Sequence, residues 1–257
     1  MCIRDRSIAF ATFYEPPPKY SRLWPDLPPS AATCVSIFLL NAAVFIAWRI
    51  PPLWRFMSRY FIQVPGYPVA VTAVTNVFSH QSFRHIAINM FTLFLVGPLV
   101  HERMGRGDFL ALYMTSGVVG SLASLTWFTM TRNLVTMTLG ASGAICGTMI
   151  ACVLLHNTNF HGYFNMGNER LTIPFLDVQV PVSAAVLWPV IVGGEIVGMR
   201  RGYLGGTDFI SHFGGYAVGT LGSLWWLWHK KQQEKEREAS LLRSVEGVLD
   251  DASKKKE

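Results

Sequence analysis

A serine among small residues and a histidine on a separate apolar stretch are the residues of this sequence that could do chemistry. Ser142 stands in Gly-Ala-Ser-Gly over residues 140–143, at the start of an apolar run that continues to Leu155, and His212 begins a second small-residue stretch. A serine hydroxyl is a poor nucleophile until a base takes its proton, and histidine is the usual base. The pair predicts acyl transfer if the fold brings the two side chains together.

Small residues recur around both groups and let apolar helices approach closely. From His212 they follow at steps of three and four, so they share one helix face with it, and Ser142 has a matching small face. The glycines predicted to make this contact are Gly140, Gly147, Gly215 and Gly219. Such faces are also ordinary packing surfaces between membrane helices. Beside a serine and a histidine, they supply the close approach that a hydrogen bond from Oγ to Nε2 needs.

A third apolar stretch offers hydrogen-bond donors. His85 and Asn89 are four residues apart and share a helix face, and His80 lies five residues before His85 at the helix mouth. Imidazole and amide N–H groups can stabilise an oxyanion, as can a backbone N–H at a helix start, here that of Gly143. Two other interpretations stay open: these residues cap the helix end, or the histidines bind zinc, although no HExxH-type spacing is present.

The composition indicates a membrane bundle. Of the 257 residues, 51% are hydrophobic and 15% are charged, whereas a soluble domain carries about 25% charged residues. We predict an all-α membrane protein, a six-helix bundle with each span roughly 20 residues long. The spans are expected at about 31–50, 82–100, 109–130, 142–155, 178–199 and 208–228. The loop at 51–75 mixes aromatic and basic residues, which predicts one or two short helices lying in the membrane interface.

Three regions are predicted along the chain: a proline-rich segment over residues 1–30, the helical domain over 31–228 and a charged tail over 229–257. The tail is expected to be a solvated helix or disordered. Eight of the 22 Lys and Arg residues lie after Trp228, and the chain shows no aromatic-plus-basic pattern of a single-strand binder, so the net charge of +6 predicts no nucleic-acid surface. The four cysteines form no CxxC pair, and neither a metal nor a cofactor is expected.

Three motifs, each in or at the start of a separate apolar span, resemble those of the rhomboid family of intramembrane serine proteases. They are His80-x4-His85-x3-Asn89, Gly140-Ala141-Ser142-Gly143 and His212-x2-Gly215. The resemblance covers about residues 31–228 and implies a Ser142–His212 dyad within a six-helix rhomboid bundle. It also implies that His85 and Asn89 assist the oxyanion, that His80 is a structural or water-retaining partner, and that the substrates are single-pass transmembrane proteins in the lipid bilayer.

A narrower resemblance is to mitochondrial rhomboids of the presenilin-associated type. It is carried by Asn41-x2-Val44-Phe45-x2-Trp48-Arg49-x-Pro51, Arg59-Tyr60-Phe61, Ser79-His80 and Asp208-x3-His212-x-Gly214-Gly215. This branch implies the mitochondrial inner membrane. It usually has a transit peptide and an extra N-terminal span; neither is visible, so we expect an N-terminally incomplete copy. Many bacterial members carry a tyrosine where Cys146 stands, so the ring of His212 must be held in another way.

No third acid is expected beside the dyad. Asp208 is predicted at a helix start, where the helix dipole favours a carboxylate, and Glu195 and Asp177 are predicted at span ends. Two alternatives remain open. An α/β-hydrolase elbow would need a glycine where Ala144 stands. A catalytically silent rhomboid-like membrane adaptor or transporter would be expected to lack the serine or the histidine.

Overall fold

Helices make up most of the chain in this computed structural model, which describes residues 24–156, 170–173, 178–181, 184–201 and 208–254. Most of the predicted proline-rich segment, Asp177 and the end of the tail lie outside the described residues. The helices are α1 (Pro29–Ala47), α2 (Trp54–Tyr60), α3 (Thr72–Thr75), α4 (Phe83–Met104), α5 (Arg106–Met130), α6 (Ser142–His156), α7 (Ala184–Arg201) and α8 (Phe209–Lys254).

Short elements join these helices. Single 3-10 turns lie at Pro51–Leu53 and Asn76–Phe78, and an antiparallel hairpin pairs β1 (Arg170–Ile173) with β2 (Val178–Pro181). Gly105 separates α4 from α5 with φ at +87°, a backbone conformation that residues with a side chain rarely adopt. The two short helices α2 and α3 lie in the first loop, as predicted.

Three helices are long and apolar enough to cross a membrane. Among the described residues these are α1, α4 and α5, and α6 contains a shorter apolar helix over Ser142–Leu155. Large apolar side chains such as Phe91 and Trp127 are exposed on α4 and α5, as expected of helices that face lipid. The predicted helical membrane bundle is confirmed, whereas the count of six spans stays a prediction.

One predicted boundary differs from the structure. The fifth span was expected from Val178, but residues 178–181 form β2 and the helix begins at Ala184. Valines alternate with other residues over 178–181, a pattern that favours a strand. The last helix continues through Trp228 to Lys254, so the described part of the tail is a helix, one of the two forms expected for it. Its charged part is rich in Lys, Glu, Gln and Arg, which are strong helix formers, so the polarity changes while the helix continues.

The helices α5, α6 and α8 meet at the centre of the bundle, where glycines let their backbones lie against one another. A Cβ atom at Gly219 would overlap the carbonyl oxygen of Gly147, and one at Gly215 would overlap that of Gly143. A Cβ at Gly120 of α5 would lie 2.6 Å from the carbonyl oxygen of Ser211 in α8. The backbones therefore touch, and no residue larger than glycine fits at these points.

We expect Gly219→Ala to lower the free energy of unfolding by about 1–3 kcal/mol, because the new methyl group must push apart two backbones. The measurement is the thermal unfolding midpoint of the detergent-purified protein. Gly194→Ala is the matched control, since a Cβ there meets nothing within 4 Å and alanine favours a helix over glycine. Equal midpoints for the two variants would contradict the close contact between α6 and α8.

Candidate active site

Ser142 is the first residue of α6 and is half-buried. The turn before it depends on Gly140, whose φ is +129° and whose Cβ, if present, would lie 2.6 Å from Cε1 of His85. Gly140 thus lies before the helix and not on its packing face, which corrects the prediction for this glycine. The missing side chain allows the imidazole of His85 to lie directly against the turn that carries the serine.

The first loop holds the segment before Ser142 in place. Gln63 and Thr138 exchange backbone hydrogen bonds of 3.0 and 2.9 Å, and the carbonyl of Asn76 accepts the N–H of Gly140 at 2.9 Å. The buried side chain of Asn76 accepts a hydrogen bond of 2.9 Å from the hydroxyl of Ser121 in α5. This polar network was not predicted, because isolated polar residues in a loop show no periodicity.

His80 ties the start of α4 to the same turn. Its Nε2 accepts the amide of Asn89 at 2.9 Å and the N–H of Ala141 at 3.4 Å, and its ring centroid lies 4.9 Å from that of His85. Burial, and to a smaller extent the neighbouring His85, lower the pKa of His80 to about 3. His80 is therefore neutral, as an acceptor must be.

The start of α6 leaves donors free for an oxyanion. Ile145, which donates to the carbonyl of Ala141 at 3.0 Å, is the first residue whose N–H bonds one turn back. The N–H groups of Ser142 and Gly143 precede it and have no partner within the helix pattern. The two backbone groups and the ring of His85 thus lie around one turn.

His212 is buried near the start of α8. Asp208 precedes this helix and accepts the N–H of Ser211 at 3.1 Å and the hydroxyl of Ser124 at 2.7 Å. The prediction that Asp208 sits at a helix start is confirmed. Because its carboxylate is bonded to these groups, it anchors the helix end that carries His212.

The position of Glu195, next to His212, differs from the one predicted. Nδ1 of His212 lies 3.1 Å from Oε2 of Glu195, so this carboxylate faces the histidine and the prediction that it lies at a span end away from the site was wrong. Cys146 also lies within hydrogen-bonding reach of His212, and the ring of Phe209 stands edge-on at 6.3 Å. A carboxylate in an apolar helix was the available signal, since such residues are usually functional.

The structure brings the predicted residues to one end of the bundle. Gly143 abuts Ser211, and a Cβ at Gly215 would lie 3.3 Å from Cβ of Cys146, which follows Ser142 by one turn. Within the described parts of the chain no hydrogen bond joins Oγ of Ser142 to His212. Catalytic hydrogen bonds are often long without substrate and tighten in the complex.

The chain was compared with known proteins. The model of the Rhomboid domain matches residues 69–229. The chain is 31% identical over 205 residues to "Rhomboid protein 1, mitochondrial" of Saccharomyces cerevisiae, covering 79% of this chain and 54% of that protein. It is 30% identical over 200 residues to "Presenilin-associated rhomboid-like protein, mitochondrial" of Homo sapiens, covering 77% and 49%.

A third relative is "Presenilin-associated rhomboid-like protein A, mitochondrial" of Danio rerio, 31% identical over 197 residues that cover 76% of this chain and 48% of that protein. The chain spans about half the length of the curated relatives it matches. The matched Rhomboid domain contains the turn before Ser142, the start of α4 and the start of α8. The chain is a helical membrane protein and belongs to the rhomboid family.

Proposed function

We propose that this chain is an intramembrane serine endopeptidase in which Ser142 is the nucleophile and His212 the general base. The observation that carries the proposal is the contact between the starts of α6 and α8. Gly143, next to Ser142, abuts Ser211, and Cys146, one turn after Ser142, touches His212. A half-buried serine and a buried histidine thus lie at the same end of one helix contact.

In the proposed first step, the hydroxyl of Ser142 attacks the carbonyl carbon of the scissile peptide bond while Nε2 of His212 takes its proton. The negative charge that develops on the carbonyl oxygen is stabilised by the N–H groups of Ser142 and Gly143 and by His85. Asn89 already donates one N–H to His80, and its amide has a second N–H to offer.

In the second step, the C–N bond breaks as His212 gives its proton to the leaving amine, and an acyl group stays on Ser142. Water then attacks the acyl carbonyl while His212 takes a proton from it. The ester bond breaks, the proton returns to Oγ of Ser142, and the new carboxyl end of the substrate leaves.

The proposed substrates are transmembrane segments of single-pass membrane proteins. A peptide carbonyl inside a helix is hydrogen-bonded, so the segment must unwind locally before Ser142 can attack. Weak helix formers such as glycine lower the cost of unwinding, and segments that contain them should be cleaved faster. Since the names of the three relatives place those proteins in mitochondria, we propose the mitochondrial inner membrane as the location of this chain.

We expect a fluorophosphonate probe to label the detergent-purified protein at Ser142 and Ser142→Ala to lose the label entirely, because the probe reacts with activated serines. The measurement is fluorescence in the gel band followed by peptide mapping. Ser223→Ala is the control, since its buried hydroxyl has no hydrogen-bond partner in the described part of the chain. An unlabelled wild-type protein would instead favour a catalytically silent membrane adaptor.

We expect His212→Ala to lower the cleavage rate of a transmembrane reporter in vesicles by at least about 10²-fold, since the base is lost. His229→Ala on the same helix removes an exposed imidazole and should cleave at the wild-type rate. Both variants should unfold at similar temperatures. Cleavage by His212→Ala at a rate close to that of His229→Ala would refute the assignment of the base.

A further inference from the structure

Glu195 is the group that contacts the side of the His212 ring away from its Nε2 atom. Its Oε2 lies 3.1 Å from Nδ1, and the side chains of His212 and Glu195 are 10% and 19% exposed. Glu195 reaches the histidine from α7, whereas the serine lies on α6. The contact therefore joins a third helix to the pair that carries the proposed dyad.

The chemistry of this contact determines which nitrogen of His212 carries the proton. An ionised carboxylate only accepts hydrogen bonds, so Nδ1 must donate. A neutral imidazole has one N–H and one lone pair, and the lone pair is then on Nε2. This is the tautomer that a base needs when its Nε2 is to receive the proton of a serine.

Other groups around His212 do not supply this function. His85 of α4 lies within electrostatic range, Cys146 of α6 lies within hydrogen-bonding reach of the ring, and Tyr216 of α8 interacts with Cys146 and Glu195. None of these three is a carboxylate. Asp208, one turn before His212 and just ahead of α8, is bonded to Ser211 and Ser124.

A carboxylate at the position of Glu195 raises the free energy of the folded protein unless it pairs with another polar group. Neighbouring residues of α7, among them Val190, Ile196 and Val197, are exposed and apolar. A carboxylate in such a helix is expensive in a bilayer and usually pairs with another polar group. The pairing with His212 meets this requirement.

We propose that Glu195 is a positioning residue that holds His212 in the Nδ1–H tautomer and stabilises its protonated form during the reaction. The inference rests on the proposed function, because it assigns a role relative to the Ser142–His212 dyad. It also explains how His212 is held although a cysteine stands at position 146. The proposed site therefore includes the carboxylate of Glu195, although no third acid was predicted from the sequence.

The test compares Glu195→Gln and Glu195→Ala with the wild type on a transmembrane reporter in vesicles. Glutamine can still accept the Nδ1–H but carries no charge, whereas alanine removes both functions. We expect Glu195→Gln to lower kcat about tenfold or more, because the hydrogen bond remains but loses its charge assistance, with KM changed less than about twofold, and Glu195→Ala to lower kcat further. Glu236→Gln, at an exposed site on α8, should leave both constants unchanged.

A second measurement does not depend on how the variants fold. ¹⁵N NMR of histidine-labelled wild-type protein should show His212 protonated at Nδ1, and Glu195→Ala should shift it toward a mixture of tautomers. A wild-type His212 protonated at Nε2 and not at Nδ1, or a Glu195→Gln variant with wild-type kcat, would overturn the inference. The inference would also be overturned if the Glu195 variants lost kcat together with a matching rise in KM and a lower unfolding midpoint. A wild-type protein that the fluorophosphonate does not label at Ser142 would refute the proposed function instead.

Discussion

The direct backbone contact between α6 and α8 is the constraint on which the rest of the structure depends. Gly147 and Gly219 leave no room for a Cβ between them, and Gly143 and Gly215 repeat the arrangement one turn nearer the helix starts. Lipid provides no hydrophobic force between membrane helices, so close packing must hold them together. The same contact brings the serine end of one helix to the histidine end of the other.

Backbone and side-chain hydrogen bonds then fix this end of the bundle from the outside. Asn76 and Gln63 hold the segment before α6, neutral His80 joins that turn to α4, and Asp208 caps α8. Each of these groups is hydrogen-bonded, which limits the cost of placing polar atoms in an apolar bundle. Rigid support of this kind is what a reaction site needs, because misplacement of a reacting group by about 1 Å can cost 10²-fold in rate.

Sequence patterns predicted the helices and the small-residue faces well, because apolar length and helical spacing are local properties. They could not show which neighbour the carboxylate of Glu195 would meet, since that depends on the rotation of α7 against α8. The change from apolar to charged residues at Trp228 left open whether the tail is helical or disordered, and helix propensity continues through it to Lys254. Gly140 was expected on a packing face, yet its φ places it in a turn.

In the proposed reaction, Ser142 and His212 act together on one substrate carbonyl. A peptidyl chloromethyl ketone tests it, because addition of a serine Oγ to the ketone holds the reagent while a histidine nitrogen displaces chloride. Mass spectrometry of the treated protein should find His212 alkylated in the wild type, with the modification largely lost in Ser142→Ala. Equal alkylation of His212 with and without the Ser142 hydroxyl, or none in the wild type, would contradict the dyad.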